Sequence, residues 1–212
     1  MLKIENTQVS GFEAAIRGAR NPLNSWAKSD SRMIHSGIDE TPVYKIGEAD
    51  KALMLRLIRA GTDHSKFMRM IFVTADFTAP MLWNAELDTY KVGTVRNSCS
   101  KMHKLASAPI TLKDFSTDET YQDENEMRAF CYLVGSCERL RQKYNETGDF
   151  RYWRMLIERL PESYNQRYTW AASYQVLRNA YHARKGHKLS EWHTFCEWCE
   201  SLPESYLITG KG

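Results

Sequence analysis

From Glu124 to Leu202 the chain reads as nearly continuous amphipathic helix, and Gly148, Leu160-Pro161 and Lys185-Gly186-His187 are the points that divide it. Met127, Phe130, Cys131, Val134, Cys137, Leu140 and Tyr144 fall along one face of a helix over 124–144. A second helix covers Phe150 to Leu160, where the following proline ends it. The spacing of Trp170, Tyr174, Leu177 and Tyr181 predicts a third long helix over Ser163–Arg184. Ser190 is placed to cap a last helix to about Leu202, with Glu191 in its first turn. Helices with one apolar stripe must bury it against another layer, so the rest of the chain has to supply that layer.

The first half offers it. Phe67 to Phe77 is rich in apolar and β-favouring residues and predicts a largely buried strand. A helix over Glu48–Ala60 precedes it, with Gly61 as its stop, and Thr78 as N-cap with Pro80 opens a helix over Met81–Thr89. Residues 1–47 read as irregular, punctuated by Gly11, Gly18, Pro22, Gly37, Pro42 and Gly47, with one short helix at Glu13–Ala19. Turns are expected at Asn21-Pro22 and at Lys28–Ser31. Tyr90–Lys101 is polar and cationic without a period, which predicts an exposed loop, and Pro109–Asp123 reads as another. The expected fold is α+β: a single helix-rich domain with a small central sheet, strands mainly in the first half, and an irregular segment 1–47 packed on a domain of 48–212.

Composition narrows the function classes. A net charge of +3 over 212 residues is too small an excess to argue nucleic-acid binding by charge alone, and no direct nucleic-acid binding is expected. No apolar run reaches the length of a membrane span, and MLKIENTQVS lacks the pattern of a secretory signal, so a cytoplasmic protein is expected. The five cysteines are then free thiols. Cys196-Glu197-Trp198-Cys199 has the C-x-x-C form, but a second such pair is missing and the stretch is helical, so core or groove cysteines are expected and no metal. No P-loop and no diagnostic Ser/His/Asp spacing is present.

One stretch carries more. Leu160-Pro161, Trp170, Leu177 and Arg184 stand, without a gap, at the spacing found in the C-terminal part of the flavin-dependent thymidylate synthase family, which this region resembles. Glu191-Trp192 looks like that family's following Gln-Trp-Glu, displaced by one residue. Gly61-Thr62-Asp63-His64-Ser65 looks like its Gly-His-x-Ser stretch ahead of a strand. Thr89–Lys101 falls where the family holds R-H-R-x-x-S-x-N-E-x-S-x-R. In one register Thr89 and Lys91 replace the first two arginines, Thr94 stands for Ser, Arg96 for Asn, Asn97 for Glu, Cys99 for Ser and Lys101 for the last Arg. A shift of one residue would instead keep Ser98.

The resemblance covers roughly residues 48–200 and implies a helix-flanked sheet in a homotetramer, with a nucleotide and a flavin between subunits. It implies that Arg184, Lys91, Arg96 and Lys101, with Thr94 and Ser98, hold the phosphate of a dUMP-like nucleotide, the loop coming from a neighbouring subunit. It places Asn179, Ser173, Gln175, His64 and Ser65 at the cofactor. The implied activity is methylation of a pyrimidine nucleotide with flavin and folate; the alternative is a non-catalytic module for a nucleotide or nucleotide-derived signal. Gln175 and Ser173 stand where the family has Arg and Asn, and Lys is a point charge that cannot grip phosphate bidentately, so FAD is expected to bind weakly or not at all. Arg184 alone would be a helix-end cation contributing about 0.3–1 kcal/mol.

Overall fold

The computed structural model describes residues 1–35, 42–117 and 123–211; Gly37 and part of the 109–123 loop lie outside them. In chain order the elements are β1 (Lys3–Ser10), α1 (Phe12–Arg20), β2 (Arg32–His35), β3 (Pro42–Lys45), α2 (Glu48–Arg59), β4 (Phe72–Pro80), α3 (Met81–Leu87), β5 (Thr94–Ser98), α4 (Lys101–Lys104), α5 (Glu124–Thr147), α6 (Phe150–Arg159), β6 (Asn165–Ser173), α7 (Tyr174–Arg184), α8 (Ser190–Ser201) and α9 (Tyr206–Thr209). The fold is helix-rich α+β, with an antiparallel sheet in the order β1-β4-β6-β5 and a separate β2-β3 hairpin.

β6 corrects the expectation of one helix over Ser163–Arg184: its first part is strand, and the helix begins only at Tyr174. Tyr168, Trp170 and Ala172 are buried while Arg167 and Thr169 are exposed, which is the period of two that a half-buried strand requires. Trp170 happens to stand four residues before Tyr174, so it extends the real stripe Tyr174–Leu177–Tyr181 of α7 and conceals the change of period. What decides the matter is pairing on both sides: Trp170 lies opposite Ala75 of β4 and Arg96 of β5.

Four further expectations change. The described part of 1–47 is not irregular: β1 pairs with β4, and Leu2, Ala15, Ile16, Ala19 and Ile46 are buried in the main core. A bulge between Glu5 and Gln8, with Asn6 at φ 53, breaks the alternation that would have announced β1. Thr94–Ser98 is an edge strand rather than loop; its buried-side residues are Thr94, Arg96 and Ser98, so it carries no apolar alternation. Thr78 is a strand residue opposite Lys3 and Arg167, and Pro80 takes the N-cap position of α3. Ser190 is the first residue of α8 and makes no capping bond from its side chain.

The inner face of the sheet, with Val73, Ala75, Phe77 and Ala79 from β4 and Tyr168, Trp170 and Ala172 from β6, meets an aromatic layer. Trp83 of α3 sits 5.0 Å, centroid to centroid, from Trp192 of α8, and Phe77 sits 5.5 Å from both Trp170 and Trp198. Such pairs add about 0.5–1.5 kcal/mol each beyond their burial. Trp83, Trp192, Tyr174 and Phe195 are fully buried. A second, smaller core joins α5 and α6 to the 105–115 segment through Leu105, Ile110, Phe115, Phe130, Val134, Leu140 and Leu156. Cys196 and Cys199 lie in the main core, and burial pushes both thiols up, so they stay protonated.

Asp50 anchors the N-terminal part. It is fully buried at the start of α2, where one oxygen accepts from Arg20 Nε and the other from the hydroxyls of Ser29 and Ser31 and the backbone N–H groups of Asp30 and Ser31. Burial raises its pKa, but the hydrogen bonds from Ser29, Ser31 and Arg20 and the charge of Arg20 together outweigh it, so the carboxyl is held below its ordinary value. Asp50→Asn leaves Arg20 buried without its counter-charge and is expected to cost about 3–5 kcal/mol in chemical denaturation at neutral pH. A depressed folded pKa gives stability that is fully present above the unfolded value of about 3.9 and is lost as pH falls through the folded value. The wild type should therefore lose, below about pH 4, an increment of stability that Asp50→Asn lacks throughout.

Candidate functional site

Three of the predicted phosphate-site residues, Lys101, Arg96 and Arg184, contact α3 or the residue that follows it, but at different ends and without sharing one cavity. Met81 and Glu86 are five residues apart on that helix, about 7.5 Å of rise. Lys101 Nζ sits 3.0 Å from Met81 Sδ at one end, and Arg184 Nη1 donates to Glu86 Oε2 at 2.9 Å near the other. One chain by itself thus brings β5 and its flanks to the end of α7.

The cations differ in how far they are already engaged. Arg96 donates from Nε to Ser98 Oγ at 2.9 Å, from Nη1 to both oxygens of Asp88 at 2.9 and 3.0 Å, and from Nη2 to Gln166 Oε1 at 2.9 Å. Its guanidinium also lies 4.0 Å from the centre of the Tyr168 ring. Arg184 adds a bond to Tyr90 Oη at 3.1 Å and stacks 4.8 Å from the Trp192 ring, while Trp192 Nε1 donates to the same Glu86 oxygen at 2.8 Å. Arg184 is only 22 % exposed, so it is more than a helix-end cation.

Lys91 is exposed, and Thr94 Oγ1 closes the turn before β5 by donating to the carbonyls of Tyr90 and Lys91. Lys101 stands apart. It is half-buried, and the neighbour to which its ammonium is bonded is a thioether, a weak acceptor. Burial first, and the charge of Arg96 second, hold its pKa below the usual lysine value.

Lys101 also lines a cavity of about 220 Å³ with Cys99, Ser100, Lys104, Tyr164 and Arg167. Gln166 forms part of the wall and donates to the Cys99 carbonyl at 2.9 Å. Three cations face this space: Lys101, Lys104 and Arg167. Lys104 and Arg167 were not read from the sequence; the signal that finds Arg167 is its outward position in β6, which needs the strand to be recognised first. Glu86 and Asp88, the counter-charges, stand immediately before the cationic segment, and that charge pattern was legible.

The predicted cofactor residues form a second group. Ser65 Oγ donates to Gln175 Oε1 at 3.4 Å, and Gln175 Nε2 donates to Asn179 Oδ1 at 3.0 Å. Ser65, Ser173 and Gln175 are buried, while Asn179 and His64 are exposed. Ser173 is the last residue of β6, opposite Phe72, and also the N-cap residue of α7. His64 lines a different cavity, between α1 and α2. The Ser65–Gln175–Asn179 chain is neutral and spends its polar atoms on itself, so these residues fit a flavin pyrophosphate poorly. Among the described residues no group of three or more His, Cys, Asp or Glu side chains converges as a metal-binding set.

Removing Arg184 takes a charged hydrogen bond from Glu86 and Tyr90 and a stacking partner from Trp192. Arg184→Ala is expected to lower stability by about 1.5–3 kcal/mol, several times the helix-end value, as read by urea denaturation.

The chain matches no known sequence-family model and no curated protein. Solved structures do match. Flavin-dependent thymidylate synthase ThyX from Helicobacter pylori, complexed with FAD and dUMP, superposes with a TM-score of 0.70 at 18% identity over 98% of both chains. A second structure of Helicobacter pylori ThyX with FAD and dUMP gives a TM-score of 0.70 at 17% identity over 99% of this chain and 98% of that one. Over essentially its whole length, the chain has the fold of the flavin-dependent thymidylate synthases.

Proposed function

We propose that the protein binds a nucleotide by its phosphate, with Lys101 as the principal grip and Lys104, Arg167 and Ser100 around it. The observation that carries this reading is the Lys101 ammonium: a cation held half-buried in a cavity wall, beside a second cation, with a sulfur as its only acceptor among the described residues. A desolvated, unneutralised charge is an unfavourable arrangement that an anion relieves. The neighbours of the same fold are complexed with dUMP and FAD, which supports a mononucleotide as the ligand class. In this reading Arg96 and Arg184 shape the site from behind, through Gln166 and Glu86, and Lys91, Thr94 and Ser98 border it.

Lys101→Ala is expected to weaken dUMP binding at least about tenfold in calorimetric titration, the loss of one charged hydrogen bond. Its melting temperature should not fall, because a lysine whose folded pKa is lowered is not stabilising as a cation. Binding should also fade as pH rises through the depressed Lys101 value, since the neutral amine attracts no phosphate. Unchanged affinity in Lys101→Ala would remove the site.

Methylation of the nucleotide with flavin and folate is the second reading, and the fold favours it. The neutral Ser65–Gln175–Asn179 chain favours instead the non-catalytic module, with FAD bound weakly at most. Recovery of a stoichiometric yellow complex from purification would overturn that preference.

We further propose a cytoplasmic homo-oligomer, a tetramer by analogy of fold. The outer face of the sheet supports it: Phe72 is 50% and Val95 68% exposed on the same side, away from the aromatic layer. Free thiols suit a reducing compartment, and no described helix is long and apolar enough to cross a membrane. Light scattering should return a mass well above 24.7 kDa at micromolar concentration, and a stable monomer would count against the assembly.

A further inference from the structure

A cavity of about 940 Å³ forms a groove between the end of α1 and one face of α2, and it shares no lining residue with the cavity beside Lys101. That size lies in the range of small-molecule sites. Its floor is apolar, with Ala19, Leu53, Leu57 and Phe67, and the exposed Leu23 stands at its edge. Ala49, Ala52 and Leu53, and Arg56 and Leu57 one turn on, recur at helical spacing along α2, and the two alanines leave the width open.

The rim is cationic. Lys28, Arg56 and Lys66 line the groove, and none pairs with a carboxylate among the described residues. Arg20 lines it too, buried and committed to Asp50 and the Ser25 carbonyl. Asp63 is the one carboxylate among the lining residues. All three are exposed, and cations standing in solvent around one apolar trough suit an anion carried on an apolar body, which would meet the charges at the rim and cover the apolar surface between them. Arginine beside lysine suits the doubly charged, three-oxygen head of a phosphate ester better than a carboxylate.

We propose that this groove is a second binding site, for a small phosphate ester with an apolar body: Arg56, Lys28 and Lys66 take the phosphate, and Leu53, Leu57 and Phe67 take the body. The site is independent of the nucleotide reading above. Nothing in it depends on Lys101.

The test is calorimetric titration of the full chain with 1-naphthyl phosphate, inorganic phosphate, 2-naphthol and 1-naphthoate. 1-Naphthyl phosphate is expected to bind at least about tenfold more tightly than each of the other three. Arg56→Ala, which removes charge, and Ala52→Trp, which fills the trough from an exposed helix position, should each weaken it at least about tenfold with little change in melting temperature. Lys101→Ala should leave it unchanged, and Arg56→Ala should leave dUMP titration unchanged. The proposal is overturned if inorganic phosphate or 1-naphthoate binds as tightly, if neither groove variant alters the affinity, or if Lys101→Ala abolishes it, which would place the probe in the other cavity.

Discussion

The pairing of β6 between β4 and β5 is the arrangement on which the rest of the molecule depends. It sets Tyr168 and Trp170 beside Phe77 on one face of the sheet, and so makes the floor on which Trp83, Trp192 and Phe195 pack. The same register sets Arg96 opposite Trp170 and over the Tyr168 ring. It also turns Arg167 and Gln166 toward the end of β5, where Cys99 donates its backbone N–H to the Arg167 carbonyl at 2.8 Å. Core and candidate site are therefore built on one strand.

Charge is distributed around that strand in two ways. Arg96 and Arg184 are spent on carboxylates of the same chain, Asp88 and Glu86, and on aromatic faces. They hold β5 and α7 against α3 and are structural whatever else they do. Lys101 and Lys104 face open space, and Arg167, which lines the same cavity, is drawn to Asp76 at 3.4 Å. The substitution of lysine for arginine matters most at Lys101, because a compact ammonium presents a point charge and not a planar fork. A phosphate held there would be bound by attraction and shape more than by bidentate geometry.

The buried Arg20–Asp50 pair has a corresponding role in the N-terminal part. Five donors converge on one carboxylate, and they order residues 29–31 against the start of α2. That fixes one wall of the large groove. Its cationic rim is left to solvent or to a ligand, while its apolar trough continues into the main core through Phe67 and Leu57.

The sequence by itself determined the elements whose signals are local. α2, α5 and α6 follow from apolar spacing and from stops at Gly61, Gly148 and Pro161, and most of β4 from a run of β-favouring residues. The resemblance carried by Leu160-Pro161, Trp170, Leu177 and Arg184 named the fold correctly, because spacing across a strand and a helix persists when residue identities change. Only the tertiary structure decided β1, β5 and β6. An edge strand with polar inner residues and a strand broken by a bulge lack a periodic signature, a strand that runs straight into a helix has its period masked by the helix's stripe, and each exists because a neighbour supplies its hydrogen bonds. It alone decided, too, which cations are free: Arg96 and Lys101 are alike in sequence as members of one cationic segment, yet Asp88, Gln166 and Tyr168 surround the first, and a sulfur and a cavity face the second. The availability of a charge depends on what the fold places within a few ångströms of it, and residue order along the chain does not carry that information.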